Sequence, residues 1–303
     1  MVPFLNCGRE AELGLWDEPS WVCAALVTPI DGQFQIDAAR LAAFGARLLD
    51  KGVNGLVPFG TMGEGPAFSA AQRFEAVARI LKLGLPADLV LGIGGGGLAD
   101  QAWLGCKAGE LGLAGVLATP PFFFREVDQD GVYAFYAALA DALGSEAPPL
   151  LLYHIPQVCG VPVAVETVAR LVDDYPGRIG GIKDSGADLA HTLELIAAVG
   201  SRTAVLVGAE RHLPDAMPAG ARGTICGLAN LVPAAVCDLV AGGTDGLEPI
   251  LACAKALAAV PVIPTVKAAV GVALADAAWD GCVPPLRPVA GDRVRELSGL
   301  ASF

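Results

Sequence analysis

Arg178-Ile179-Gly180-Gly181-Ile182-Lys183-Asp184-Ser185 is a short apolar run that closes on a lysine. Its apolar residues are continuous rather than alternating, as in a strand of a parallel sheet covered on both faces. An ammonium group at the end of such a strand is costly to desolvate, and a lysine so placed tends to give up its proton. A neutral amine is the nucleophile that attacks a ketone carbonyl, which makes Lys183 a candidate Schiff-base lysine. Two plainer readings stand beside it: a side chain that snorkels out at the strand end, or an ion pair with Asp184. The other five lysines, Lys51, Lys82, Lys107, Lys255 and Lys267, fall in or at the ends of helix-like segments, where a solvated ammonium needs no special account.

About 30 residues earlier, the span of one βαβ unit, Leu150-Leu151-Leu152-Tyr153-His154-Ile155-Pro156 reads as the preceding strand. On neighbouring strand ends a tyrosine and a lysine can share one substrate, the phenol moving protons while the amine forms an imine. Tyr153 can equally be a core aromatic with its hydroxyl bonded to the backbone. His154 points to the opposite face of a regular strand and reads as structural.

The same alternation of apolar run and amphipathic stretch occurs eight times, which predicts a closed α/β (β/α)8 TIM barrel. The expected strands are 22–28, 53–59, 88–93, 114–119, 149–154, 178–183, 203–208 and 223–228. The expected helices are 37–51, 69–84, 98–112, 130–143, 165–174, 190–200, 212–220 and 233–242, with Asp37, Ser69 and Asp130 as caps or first-turn residues. Beyond them the pattern turns helical only, at 247–259, 264–278 and 290–300. The organisation is therefore an N-terminal extension over 1–20, a barrel over 21–245 and a C-terminal helical region over 246–303. A doubly wound open sheet is the rival architecture.

The chain has 303 residues, of which 54% are hydrophobic, enough apolar surface for a large core. Its 20 basic residues against 32 acidic ones, a net charge of −12, disfavour nucleic acid or an anionic membrane as partner. A small anionic substrate needs local positive help. No apolar stretch matches a membrane span, and Met1 to Glu10 lack the basic start and apolar block of a secretory signal, so a cytoplasmic protein is expected. Cys7, Cys23, Cys106, Cys159, Cys226, Cys237, Cys253 and Cys282 show no C-x-x-C spacing and read as reduced thiols. His154, His191 and His212 are scattered without metal-ligand spacing, so no metal or other cofactor is expected.

In a barrel of this kind the reacting groups lie at the C-terminal strand ends, where Thr28, Thr61, Thr119, Tyr153, Lys183, Glu210 and Asn230 gather. Phe59-Gly60-Thr61-Met62-Gly63-Glu64-Gly65-Pro66 closes the second strand with glycines that let N–H groups turn inward, a turn able to hold a carboxylate. Such turns are also common in α/β folds without any ligand. Gly92-Ile93-Gly94-Gly95-Gly96-Gly97 satisfies G-x-G-x-x-G. A nicotinamide site wants an acidic residue at the next strand end, and Gly115-Val116-Leu117-Ala118-Thr119-Pro120 has none.

Val27-Thr28-Pro29, Gly60-Thr61-Met62-Gly63-Glu64, Tyr153-His154-Ile155-Pro156 and Gly181-Ile182-Lys183-Asp184, in this order and spacing, resemble the dihydrodipicolinate synthase and N-acetylneuraminate lyase family over about 22–290. The resemblance implies a (β/α)8 barrel with a C-terminal helical extension and a class I lyase or aldolase. Lys183 would form an imine with pyruvate or another 2-oxo acid, Tyr153 would act as general acid and base, and Thr61 would assist. The Gly60-Thr61-Met62 turn would bind the carboxylate. Ile225 matches the position whose backbone lines the imine pocket, and Gly208 and Glu210 match the seventh strand end near the distal part of the substrate. The resemblance also implies a homo-oligomer, a tetramer or a dimer.

Three positions depart from the synthases of that family. An arginine that binds the aldehyde substrate's carboxylate is replaced by Val158, which has no charge to offer. A tyrosine after the fourth strand, shared across a subunit contact, is replaced by Phe122, and the second threonine of the glycine turn by Met62. The distal pocket is expected to include Phe122, Val158, Glu210 and His212. The reading that follows is cleavage or condensation of a 2-oxo acid such as a 2-keto-3-deoxy sugar acid, with a dehydratase variant of the same chemistry. Dihydrodipicolinate synthesis from pyruvate and aspartate semialdehyde is the alternative, and a non-catalytic barrel that binds a 2-oxo acid is the alternative of a different class.

Overall fold

Eight short strands pair in parallel, each followed by a helix, in a computed structural model that describes residues 20–86 and 88–303. In chain order they are β1 Trp21–Ala25, α1 Ala38–Asp50, β2 Gly55–Val57, α2 Ala70–Lys82, β3 Val90–Gly92, α3 Leu98–Glu110, β4 Gly115–Ala118, α4 Gln129–Leu143 and β5 Leu150–His154. A one-turn helix α5 (Pro156–Cys159) precedes α6 Val165–Asp174, β6 Ile179–Asp184, α7 Leu189–Val199, β7 Ala204–Val207, α8 Leu213–Ala219, β8 Gly223–Cys226 and α9 Pro233–Val240. Three further helices close the chain: α10 Leu247–Leu257, α11 Val262–Leu274 and α12 Asp292–Leu300. The strand order β2-β1-β8-β7-β6-β5-β4-β3 becomes a ring where Leu56 bridges Leu89 and the Gly92 N–H donates to Pro58 O at 3.0 Å. The closed barrel is the predicted architecture, and the open doubly wound sheet is excluded. The expected N-terminal extension lies almost wholly outside the described residues.

Side chains alternate across the barrel wall. Cys23, Val57, Val90, Leu117, Leu151 and Leu206 form the interior, whereas Ala24, Leu56, Leu91, Val116, Leu152 and Val205 belong to a separate core beneath the helices. Burial on both faces is why these strands read as unbroken apolar runs. They are shorter than the apolar runs because their ends turn. Phe59, for example, adopts a left-handed φ of 61° that strand geometry does not accommodate.

The helices start where the capping chemistry dictates. Asp37 accepts the Arg40 N–H, and Ser69 forms a reciprocal capping box with Gln72. Asp128 caps α4, and Asp130 sits in its first turn. Each helix buries one stripe, as α1 does with Leu41, Phe44 and Leu48, side chains worth roughly 1.5–3 kcal/mol apiece when fully buried. Gly92 is required by packing, since a Cβ there would collide with the Phe59 carbonyl. Its own carbonyl and that of Gly94 accept bonds from the buried Arg73 at 3.0 and 2.9 Å, so the glycine run carries a structural bridge.

Among the described residues, no single helix is long and apolar enough to cross a membrane. Helix α11 is apolar because it is packed on nearly every side, and this overturns the reading of Lys267 as a solvated lysine. The side chain is 0% exposed and pairs with the equally buried Glu64 at 2.6 Å. The second Glu64 oxygen accepts the Val283 N–H at 2.8 Å. A carboxylate left without its cation in such a place is costly. Lys267→Met is expected to lower stability by about 3–5 kcal/mol, read as a reduced urea midpoint, and Glu64→Gln combined with it to recover part of that loss. A single variant as stable as the parent protein would show the pair to be dispensable.

Candidate active site

Parallel registration of β5 with β6 sets Tyr153 beside Lys183 and His154 beside Asp184. Lys183 is also in register with Leu206 of β7, and because Tyr153 and Leu206 belong to the barrel interior, Lys183 points inward with them. The lysine is 5% exposed, and its Nζ stands 4.3 Å from the centroid of the Tyr153 ring. Asp184 is not its partner. That carboxylate faces outward, where it accepts from Thr192 Oγ1 at 2.8 Å, from the Gly186 N–H at 2.9 Å and from His191 Nδ1 at 3.1 Å. The ion-pair reading of Lys183 is thereby corrected, since alternation along β6 separates the two groups.

A cavity of ≈ 520 Å³ opens over this pair at the C-terminal end of the barrel. Thr61, Met62, Tyr153, Val158, Lys183, Gly208, Glu210 and Ile225 all line it. Gly60 lies just behind, buried in the turn after β2, where its carbonyl accepts the Gly65 N–H at 3.1 Å. That turn is fastened from three sides. Thr28 Oγ1 donates to Gly63 O at 2.8 Å, Lys267 holds Glu64 from α11, and Val283 holds it from the segment before α12. A Cβ on Gly208 would collide with Ser185 Oγ, so glycine keeps this rim open.

Phe122 and His212 are not among the residues that line the cavity. After Pro120 and Pro121 the chain runs over the surface, and Phe122 is 41% exposed beside the still more exposed Phe123 and Phe124. His212 belongs to a short 3₁₀ turn leading into α8, behind Glu210 and Arg211, and burial pushes its imidazole below the ordinary histidine range. Thr28 and Asn230, assigned to the mouth from their positions, are fully buried fasteners: Asn230 donates to Ala25 O at 2.7 Å and accepts the Val27 N–H at 3.1 Å. Three polar lining residues carried no sequence signal beyond their nearness to strand ends: Gln157, Ser185 and Arg211.

His154, Asp184 and His191 cluster on the outer face of β5 and β6. The two imidazoles, far apart in sequence, stack at 4.1 Å between centroids. The ligand-type atoms of the three residues lie within 4.8 Å of one another, as in a metal site, but the Asp184 oxygens and the Nδ1 atom of each histidine are engaged in hydrogen bonds. His154 Nδ1 accepts the Val163 N–H at 3.1 Å, and both Asp184 oxygens are engaged. Burial lowers the His154 pKa below the ordinary range, with the neighbouring His191 adding to the shift. The bond to Asp184 raises that of His191, against the cost of burial. Burial works to raise the Asp184 carboxyl, yet the bonds from His191, Gly186 and Thr192 hold it below its usual value. The described cysteines are all free, and burial raises Cys23, inside the barrel, to about 12.

A parallel eight-stranded barrel whose C-terminal mouth presents a buried lysine against a tyrosine, with a glycine turn opposite, defines a class of carbonyl-handling enzymes. Residues 18–301 match the Dihydrodipicolinate synthetase family, and the chain belongs to it. It is 34% identical to a 4-hydroxy-tetrahydrodipicolinate synthase of Thermomicrobium roseum over 223 residues, covering 73% of this chain and 72% of the other. Over 217 residues it is 32% identical to an "Uncharacterized DapA-like lyase" of Chloroflexus aurantiacus, covering 71% and 72%. The crystal structure of dihydrodipicolinate synthase from Agrobacterium tumefaciens superposes with a TM-score of 0.86 at 30% identity, covering 93% of this chain and 98% of that one. A variant of Sulfolobus solfataricus 2-keto-3-deoxygluconate aldolase, at 17% identity and a TM-score of 0.80, shares the fold. The protein is an enzyme of the class I lyase and aldolase kind.

The outer cluster makes stability depend on pH in a defined direction. A histidine whose folded pKa is raised contributes most below its ordinary value of about 6.5 and loses that contribution as pH rises through the folded value. Asp184, held low, contributes above about pH 4 and loses it on acidification. The His191–Asp184 bond is therefore strongest between these limits. His191→Ala is expected to cost roughly 1–2 kcal/mol more at about pH 5.5 than at about pH 9, measured as the wild-type-minus-variant difference in urea unfolding. An equal deficit at both values would exclude a charged pair.

Proposed function

We propose that the enzyme cleaves or condenses a 2-oxo acid, such as a 2-keto-3-deoxy sugar acid, through an imine on Lys183. The observation that carries this reading is the Tyr153–Lys183 pair, in register and open to one cavity. The lysine's lone pair adds to the keto carbon, and loss of water leaves the imine. Once protonated, the imine accepts the electron pair of the breaking carbon–carbon bond, and the aldehyde departs. Tyr153 moves the protons that these steps require. The resulting enamine takes a proton at carbon, and water then returns pyruvate and the free lysine.

The Gly60-Thr61-Met62 turn would receive the substrate's carboxylate through N–H groups and the Thr61 hydroxyl, an arrangement supported by its fastening at Thr28, Glu64 and Lys267. Ile225 would line the imine pocket, while Gly208, Glu210 and Val158 would border the distal part of the substrate. Phe122 would cover the mouth from another copy of the chain. Its exposed neighbours Phe123 and Phe124 support a dimer or tetramer. The seven cysteines among the described residues, all unpaired, support a reducing, cytoplasmic setting.

Dihydrodipicolinate synthesis is the second reading, favoured by the names of the relatives at 30% identity and above. Against it stands Val158, 54% exposed at the rim where the synthases carry a cation. A panel comparing pyruvate release from 2-keto-3-deoxy acids with condensation of pyruvate and aspartate semialdehyde separates the two.

Borohydride treatment with pyruvate is expected to fix a covalent adduct on the peptide containing Lys183, and Lys183→Ala to abolish it. Tyr153→Phe should retain slow adduct formation and lose about 10² to 10⁴ in turnover. Full turnover in that variant would remove Tyr153 from the mechanism.

A further inference from the structure

Three charged side chains line the cavity: Lys183, Glu210 and Arg211. In the proposed reaction the lysine is consumed by the keto carbon. Glu210 is turned toward the loop after β8, where its Oε1 accepts the Leu228 N–H at 2.9 Å. Arg211 alone remains as a cation at the rim, and no carboxylate among the described residues lies within ion-pair distance of it. Its one protein bond runs from Nη2 to Ala187 O at 3.2 Å, which ties the guanidinium to the loop after β6. The other guanidinium donors have no protein partner among the described residues.

Its position supplies a direction. The carboxylate turn after β2 and the rim after β7 are three strands apart around the barrel, with β6 and its lysine on the far side of β7. A substrate whose first carboxylate rests on the turn and whose keto carbon meets Lys183 therefore extends its other end toward the rim. Ser185 and Gln157 flank that rim after β6 and β5, and Gln157 Nε2 donates to Ser185 O at 2.7 Å. Val158, one residue further, contributes no charge. Recognition of a planar anion thus falls to Arg211, whose fork fits a carboxylate through two parallel bonds.

We infer that Arg211 forms a distal anion subsite, and that the substrate is a 2-oxo acid bearing a second carboxylate at its far end. This rests on the imine reading for the first half of the substrate. Glu210, on the same rim, disfavours an anion placed deeper toward β8, so the second carboxylate sits at the outer edge.

Borohydride trapping with two probes of matched length, 2-oxoadipate and 2-oxohexanoate, tests the subsite. The wild-type enzyme is expected to reach half-saturation with 2-oxoadipate at a concentration about tenfold lower than with 2-oxohexanoate, a preference that shrinks as salt is added. Arg211→Gln is expected to bring the ratio near one, and Arg211→Lys to restore part of it. A wild-type ratio near one, or a ratio unchanged in Arg211→Gln, overturns the subsite while leaving the imine intact. Should no oxo acid be trapped, the imine reading itself fails. Calorimetry with glutarate, which has no keto group, then decides the subsite alone: binding weakened about tenfold by Arg211→Gln upholds it, and no binding overturns it.

Discussion

In-register pairing of β5 with β6 is the constraint from which the site follows. Parallel neighbours in register present the same face at the same level, so the two strands must send Tyr153 and Lys183 together into the barrel and His154 and Asp184 together out of it. A slip of one residue would exchange the two sets, setting an imidazole and a carboxylate over the cavity and burying the lysine beneath the helices. The outer pair resists that slip. Asp184 is held by three donors from the loop after β6 and α7, and His154 by the backbone of Val163 before α6. The polar groups behind the wall thus hold the register that places the polar groups in front of it.

The glycine turn opposite is governed by a second buried contact, between Glu64 and Lys267. An ion pair without water gains little net free energy over apolar packing of the same volume, so its value here is geometric. Glu64 sits in the left-handed region at φ 57°, ending the turn that begins at Gly60, and its two oxygens are taken by α11 and by the Val283 N–H. The C-terminal helices are consequently part of the mouth: Val262, Pro264 and Val266 of α11 line the same cavity as Lys183. They are an extension of the barrel in the chain but a wall of the site in space.

What could be read from the amino-acid order was whatever rests on local periodicity. The eight strands and their helices follow from runs and stripes, and Asp37 and Ser69 cap helices because capping is a matter of three or four residues. Lys183 was legible because a lysine at the end of an apolar strand conflicts with its surroundings. Lys267 made the same conflict, as the lone charge in Val262–Leu274, but a helix tolerates an exposed lysine and its partner lies 203 residues away. The meeting of His154 with His191 was hidden for the same reason, since only the fold brings β5 against α7. Phe122 stands apart from the cavity of its own chain for a different cause. Its position after β4 pointed to the mouth, while the two prolines before it lead the chain out over the surface.

The two halves of the cavity differ in how firmly they are built, and this bears on what can vary in the substrate. The half that would receive the keto carbon and first carboxylate is made of buried strand ends and a turn tied at Thr28 and Glu64, so its geometry is set by the core. The other half is made of Gln157 and Val158 on the one-turn helix α5, Ser185 after β6 and Arg211 after β7, side chains that touch the barrel through few bonds. Changes at the exposed Gln157, Val158 and Arg211 cost little stability, because exposed side chains carry little packing. Chemistry anchored in the wall and recognition carried on the rim explain how one barrel keeps a lysine and a tyrosine in place while Val158 and Arg211 define which far end the reacting carbon carries.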